Sequence, residues 1–200
     1  NFKNSMVAAS SFNDTHSMVI LDGKLYSAGD NVRGQLGNGT FTDSNTPVEV
    51  MNYLDQKMTS VKKVSNGLGY SMFLNNDGRV WAVGFNQYGK LGDGTSENQN
   101  KAYPVRGKNG NGFLRDFVDI SAGYRHSIAV KNDGSVWAWG SNSTGQLGDN
   151  SHSTRTMPVR VKGYQAEWLD NIEKVYANAD TSITSVDSGR WKFVISPSIT

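Results

Sequence analysis

Apolar positions along this chain come in short runs separated by turn residues, and nowhere do they keep a helical spacing for more than about a turn. The best helical candidate is Gln165 to Asp170. Ile128-Ala129-Val130, then Lys131-Asn132-Asp133-Gly134, then Ser135-Val136-Trp137-Ala138-Trp139 predicts strand, tight turn and strand, a β-hairpin. Asp-Gly suits the turn because a right-twisted hairpin needs positive φ there, which Gly accepts without steric cost and Asp tolerates. Side chains alternate across a strand, so Val136, Trp137, Ala138 and Trp139 make both faces of this sheet apolar. Such a sheet must be covered on both sides.

The hairpin recurs. Asp22-Gly23, Asp77-Gly78 and Asp133-Gly134 each lead into a short apolar strand ending at Gly29, Gly84 and Gly140, in steps of 55 (84 − 29) and 56 (140 − 84) residues. The same register carries Asn31, Asn86 and Asn142. It also carries the turns Gly34-Gln35-Leu36-Gly37, Gly89-Lys90-Leu91-Gly92 and Gly145-Gln146-Leu147-Gly148, and then Pro47, Pro104 and Pro158. The repeats run approximately 6–60, 61–117 and 118–171, with a partial copy over 172–200 in which Ser188-Gly189 takes the hairpin place and Trp191 that of Val136. That copy stops before a Gly-x-Asn turn and reads as half a unit, and the chain as a processed or excised piece. Two-faced sheets satisfy one another by stacking in a ring, so the pattern predicts an all-β fold, a β-propeller segment over 1–200 with about three and a half four-stranded blades.

Composition narrows the function. A net charge of +2, spread without a block of like charges, gives no electrostatic reason to expect nucleic acid or an anionic membrane surface as partner. No apolar run reaches membrane-spanning length. The absence of Cys excludes disulfides, thiolate zinc sites and cysteine nucleophiles.

Ile120-Ser121-Ala122-Gly123-Tyr124-Arg125-His126-Ser127-Ile128-Ala129-Val130 resembles the blade signature of the regulator of chromosome condensation family: apolar, two small residues, Gly, two free positions, then His-Ser-apolar. Val64 to Leu74 departs from it at Asn66 and Tyr70, the first copy keeps His16-Ser17, and Val175 to Ser185 keeps little. The resemblance covers nearly the whole chain and implies the propeller. Family members serve as exchange factors for a small GTPase, ligase-associated binding modules, a plant ultraviolet photoreceptor and secreted bacterial inhibitors, and commonly close rings of seven blades. Two copies of this chain would complete such a ring as a homodimer. The photoreceptor's Gly-Trp-Arg-His-Thr run has Tyr for Trp in Gly123-Tyr124-Arg125-His126-Ser127, which argues against light sensing.

No convergent acid, base and nucleophile set emerges, so the expectation is a non-enzymatic scaffold with no cofactor and no metal site. His16 and His126 occupy one repeat position, with Tyr70 and Thr181 in the matching places, and are expected to hydrogen-bond a neighbouring blade. His152 lies in a polar loop. Asp22, Asp77 and Asp133 read as turn residues, as do Asp93 and Asp149, which lack the alternating oxygen ligands of a calcium loop. Trp81, Trp137, Trp139 and Trp191 read as blade core. Partner contacts are sought where the repeats differ within a fixed frame: Arg33, Phe85, Gln87 and Tyr88 in the Gly-x-Asn turns, and Leu68, Tyr124 and Arg125 before the His position. Asp30, Val32, Ser141, Ser143 and Thr144 share those free positions. Arg106 with Arg160, and Lys108 with Lys162, suggest either a basic row or an exposed strand of alternating charge. The leading reading is a protein-binding module, an inhibitor, adhesion or regulatory scaffold whose polar loops suit a bacterial surface or the extracellular space. The alternatives are nucleotide exchange on a small GTPase and carbohydrate binding through exposed Tyr and Trp.

Overall fold

The structure is a computed structural model that describes residues 5–9, 16–107, 110–163, 167–179, 181–185 and 191–195. Its first sheet contains β1 (Ser5–Ala9), β2 (His16–Leu21), β3 (Lys24–Gly29) and β4 (Ser44–Glu49). The second contains β5 (Val61–Asn66), β6 (Tyr70–Asn75), β7 (Val80–Gly84) and β8 (Gln99–Pro104), and the third β9 (Phe117–Ala122), β10 (His126–Lys131), β11 (Val136–Gly140) and β12 (Arg155–Arg160). A fourth sheet holds β13 (Lys174–Ala177), β14 (Ser182–Ser185) and β15 (Trp191–Ile195). Within these four sheets every strand pairing is antiparallel between sequence neighbours. The fourth copy thus has three strands, and Trp191 opens the third as Val136 does in the unit before it. Its Ser188-Gly189 turn lies outside the described residues.

The Asp-Gly hairpins are of two kinds. Leu21 pairs with Lys24 across Asp22-Gly23, both with positive φ (50° and 75°), a two-residue loop whose twist matches its strands. In the second and third units Gly78 N–H donates to Asn75 O and Gly134 N–H to Lys131 O, and only the Gly has positive φ. There the Asp carboxylate instead accepts from the backbone two residues on, at Arg79 and Ser135. The same dipeptide therefore serves two turns. Of the helical candidate, the described residues Glu167 to Asp170 form no helix, and Trp168 makes a β-bridge with Lys162; Gln165 and Ala166 lie outside the described residues.

The first strands lie side by side, β1 against β5, β5 against β9 and β9 against β13, so the sheets radiate from a common inner line and β4, β8 and β12 form the rim. Burial follows this stacking. Tyr70 to Leu74 and His126 to Val130, in sheets flanked on both sides, are buried at every position, whereas β2 alternates buried His16, Met18 and Ile20 with less buried neighbours. Met18, Ile20 and Leu25 pack against Phe73, Trp81 and Val83. Met72, Leu74 and Val80 meet Ile120, Ala129 and Trp139, and Ile128, Val136 and Ala138 meet Ile172 and Val175. Polar clasps join the inner strands at one repeat step: Ala122 N–H donates to Ser65 Oγ and Ala177 N–H to Ser121 Oγ, both at 2.9 Å. Asp119, buried, takes Lys63 from one neighbour and Val175 N–H from the other.

Candidate functional site

Each Gly-x-Asn turn is built around its buried Asn. Asn31 Oδ1 accepts the Leu36 N–H, Asn86 Oδ1 that of Leu91 and Asn142 Oδ1 that of Leu147, at 2.9 to 3.0 Å. Their amide groups donate to the far side of the loop, at Thr40 and Thr42, at Asp93 and Thr95, and at Asp149 and Ser151. Asp93 and Asp149 are thereby engaged as loop braces. Burial alone raises the Asp149 carboxyl, but donors from Ser151, Arg155 and Asn142 together hold it below the usual carboxylate range. Among the described residues no group of three or more His, Asp or Glu is placed to hold a metal ion.

The His position joins blades. His16 Nε2 lies 2.8 Å from Ser71 Oγ of the next sheet, and Ser71 Oγ donates to Asn66 Oδ1. Tyr70, in the same place, donates to His126 O at 2.8 Å and lies 3.0 Å from Ser127 Oγ. Burial lowers both imidazoles to about 4, with Asp30 partly opposing the shift at His16, and it raises the Tyr70 phenol.

Around this frame the free positions converge. The Arg33 guanidinium lies 4.5 Å from the Phe85 ring centre, and Arg125 lies 5.8 Å from that of Tyr88 and 5.3 Å from that of Tyr124. Gln87 and Arg125 are exposed; Arg33, Leu68, Phe85, Tyr88 and Tyr124 are half-buried. Three successive units thus supply one cation and aromatic patch. Val32, Ser143 and Thr144 are exposed without joining these ring contacts, while Ser141 is buried.

At the centre of the patch sits a residue that pattern reading passed over. Lys90 is buried. Its ammonium donates to Leu68 O at 2.6 Å and Tyr124 O at 3.4 Å and lies over the rings of Phe85 and Tyr70, at 4.4 and 4.6 Å. Gln35 and Gln146, its counterparts, accept the backbone N–H of Arg33 and Thr144 and so close their own loops. A lysine has no acceptor, so it cannot do this. It reaches across to the third sheet, and Tyr88 takes φ 70°, a left-handed conformation that costs a non-glycine residue on the order of 1–3 kcal/mol. The Gln-to-Lys change inside a fixed turn was the sequence signal for it. Lys90→Ala leaves two carbonyls without their donor and is expected to destabilise the chain by about 3 kcal/mol in urea titration. Lys90→Gln, which can close the turn as its counterparts do, should recover much of that loss.

The basic row is out of register. Trp81 pairs with Pro104 but Trp137 with Arg160, so Arg160 corresponds to Pro104 and not to Arg106. Arg106 corresponds instead to Lys162: each bridges an aromatic, Phe113 or Trp168, and lies 5.6 Å from that ring centre. Lys108 lies outside the described residues. Trp81 and Trp139 are core as expected, and Trp137 is partly buried against it. Trp191 pairs with Ser185 as Val136 pairs with Val130.

Comparison with known proteins agrees with this frame. A model described as the regulator of chromosome condensation (RCC1) repeat matches residues 22–74, 77–130 and 133–189. The X-linked retinitis pigmentosa GTPase regulator of Homo sapiens is 32% identical over 170 residues, covering 84% of this chain and 16% of the relative. The ultraviolet-B receptor UVR8 of Arabidopsis thaliana is 30% identical over 167 residues, 82% of this chain and 36% of the relative. The crystal structure of human WBSCR16 superposes with a TM-score of 0.73 at 22% identity, covering 90% of this chain and 44% of that one. The chain spans less than half of each. Stacked four-stranded sheets in this order, with three matched repeats, place the chain in the regulator of chromosome condensation repeat family, as a segment of its β-propeller.

Proposed function

We propose that this chain is a regulatory propeller segment that binds another protein through Arg33, Leu68, Phe85, Gln87, Tyr88, Tyr124 and Arg125. The observation that carries the reading is the convergence of Arg33, Phe85, Tyr88, Tyr124 and Arg125, from three repeats, with Arg and Tyr the side chains enriched in interface hot spots. A left-handed Tyr88 supports it, because backbone strain persists where a side chain must be aimed. Sugar stacking has less support: Arg125 lies over both Tyr88 and Tyr124 and takes one face of each ring. The regulator among the relatives makes a small GTPase the first partner class to test.

The test is affinity capture from the source organism beside labelled-nucleotide exchange on a panel of small GTPases. Wild-type chain should retain a partner that the Tyr88→Ala, Arg125→Ala double variant retains at least tenfold less well, with thermal midpoints alike. Equal retention by both rejects the patch. Accelerated exchange, lost in the double variant, assigns the partner as a GTPase.

A further inference from the structure

The three Gly-x-Asn turns close alike and differ at one peptide. Gly34 N–H donates to Asn31 O, Gly89 N–H to Asn86 O and Gly145 N–H to Asn142 O, at 2.8 to 3.0 Å. Four-residue turns closed by such a bond come chiefly as types I and II, which differ by a rotation of the central peptide. The third residue has negative φ in type I and sits at about (+80°, 0°) in type II. Arg33 and Thr144, the third residues of the first and third turns, keep negative φ, whereas Tyr88 stands at φ 70°, ψ 9°. The Gln87–Tyr88 peptide is therefore turned over relative to its counterparts, and a tyrosine fills a place that ordinarily takes glycine.

Two residues on, the units differ in chemistry. In the first turn Gln35 Oε1 accepts the Arg33 N–H at 2.9 Å, and in the third Gln146 Oε1 accepts both the N–H and the hydroxyl of Thr144, at 3.0 and 2.8 Å. That acceptor holds the central peptide with its N–H toward the glutamine, the type I arrangement. Lys90 offers the Tyr88 N–H no such acceptor. Its side chain leaves the turn instead, with the ammonium on Leu68 O and Tyr124 O and over the Phe85 ring. Its own carbonyl receives the Ser127 hydroxyl at 2.7 Å and the Trp139 indole N–H at 2.9 Å. Lys90 is thus fixed to the third blade through backbone and side chain together. Leu68, Phe85 and Tyr124, which it touches, all belong to the rim patch. Reversing the sign of φ re-aims the Cα–Cβ bond, and the Tyr88 ring centre lies 5.8 Å from the Arg125 guanidinium of the next blade.

We propose that Lys90 is the positioning residue of the rim patch. It withholds the acceptor that its Gln counterparts supply and braces the two neighbouring loops, so that the Gln87–Tyr88 peptide turns over and Tyr88 is aimed at the partner. This rests on the protein-binding reading above and adds which residue makes the rim of the second blade unlike the others. Glutamine at position 90 restores the turn of the other blades, and with it the fold, while dismantling the patch. A residue with a structural role alone would lose or recover both together.

The experiment compares the whole chain with Lys90→Gln and Lys90→Met, by NMR, thermal unfolding and binding. A left-handed φ brings an amide hydrogen close to its own Hα, so wild type should show a strong intraresidue NOE at Tyr88 and an NOE from its ring to the Arg125 side chain. In Lys90→Gln the first should fall to the level seen at Arg33 and Thr144 and the second vanish, with a thermal midpoint close to that of wild type. Lys90→Met, which brings no comparable acceptor, should keep the strong NOE at Tyr88 although it is less stable. The binding probe is the purified protein that the wild-type chain retains by affinity capture, and Lys90→Gln should bind it at least tenfold less tightly. A folded Lys90→Gln chain whose Tyr88 keeps its strong NOE overturns the proposal, as does a folded Lys90→Met chain that loses it. So does undiminished binding by Lys90→Gln where the Tyr88→Ala, Arg125→Ala double variant has lost the partner. Retention of no protein by wild type, or undiminished binding by the double variant, removes the rim reading itself and this proposal with it.

Discussion

Lowering the pH from 6.5 to about 4 should remove on the order of 6 kcal/mol of folding stability through two buried imidazoles, at about 3 kcal/mol each. His16 and His126 are almost fully buried, and burial lowers each from 6.5 to about 4 in the folded chain. As acid is added, the unfolded chain takes up these two protons first. Their stabilising effect is therefore complete above about pH 6.5, declines through the interval, and stops changing below about 4. The braced carboxylates act in a different window. Asp133, whose carboxylate accepts from Ser135 Oγ and N–H, and Asp149 are held below the usual range, so their contribution is present above about pH 4 and is lost below it. Urea titrations at pH 7, 5.5 and 4.5 should show the midpoint falling with a limiting slope of two protons. His126→Gln and His16→Gln should each reduce that slope by one. A total of 6 kcal/mol is a large part of an ordinary domain's 5–15 kcal/mol, so the chain should be near unfolding at pH 4. A flat profile between pH 7 and 4.5 would show that neither imidazole is desolvated.

What could be read in advance was whatever the backbone demands locally. Asp-Gly before a strand, an Asn two residues after its last Gly, and two-faced strands such as Val136 to Trp139 are requirements of single turns and sheets, and each copy states them again. The His position belongs here too, because a repeat step of about 55 residues turns one intrablade place into one interblade bond, as between His16 and Ser71. What escaped was set by neighbours. Prolines gave a misleading register for the outer strand, since Pro47 and Pro158 correspond to Ala102; counting from Gly29, Gly84 and Gly140 to their partners Ser44, Gln99 and Arg155 gives the same interval in every unit. Within its turn Lys90 simply stands in the register of Gln35 and Gln146. Only its reach to the Leu68 and Tyr124 carbonyls shows that it ties two blades together, beside a Tyr88 in a left-handed conformation.

The largest single-site loss is expected at Trp139. Its side chain is fully buried at the boundary of the second and third sheets, among Tyr70, Met72 and Leu91, and its Nε1–H donates to Lys90 O at 2.9 Å. The packing there is close: a Cβ on Gly92 would lie 2.7 Å from that nitrogen. Trp139→Ala opens a cavity that tight surroundings cannot collapse into, and should cost about 4 kcal/mol. Trp139→Phe keeps most of the ring and removes one donor. Ser127 Oγ still donates to the Lys90 carbonyl at 2.7 Å, so about 1–2 kcal/mol is expected. Trp168→Ala, at a half-exposed site, should stay within about 0.5 kcal/mol. The shape of the transition carries a further expectation. In a stacked array each sheet is held chiefly by its neighbours, so a loss concentrated at one boundary uncouples the sheets on either side. Trp139→Ala should therefore broaden the urea transition and lower its m-value, whereas Trp139→Phe should shift the midpoint with the slope intact. An alanine variant that unfolds with the wild-type slope and a loss below about 1 kcal/mol would mean that this boundary does not hold the second and third sheets together.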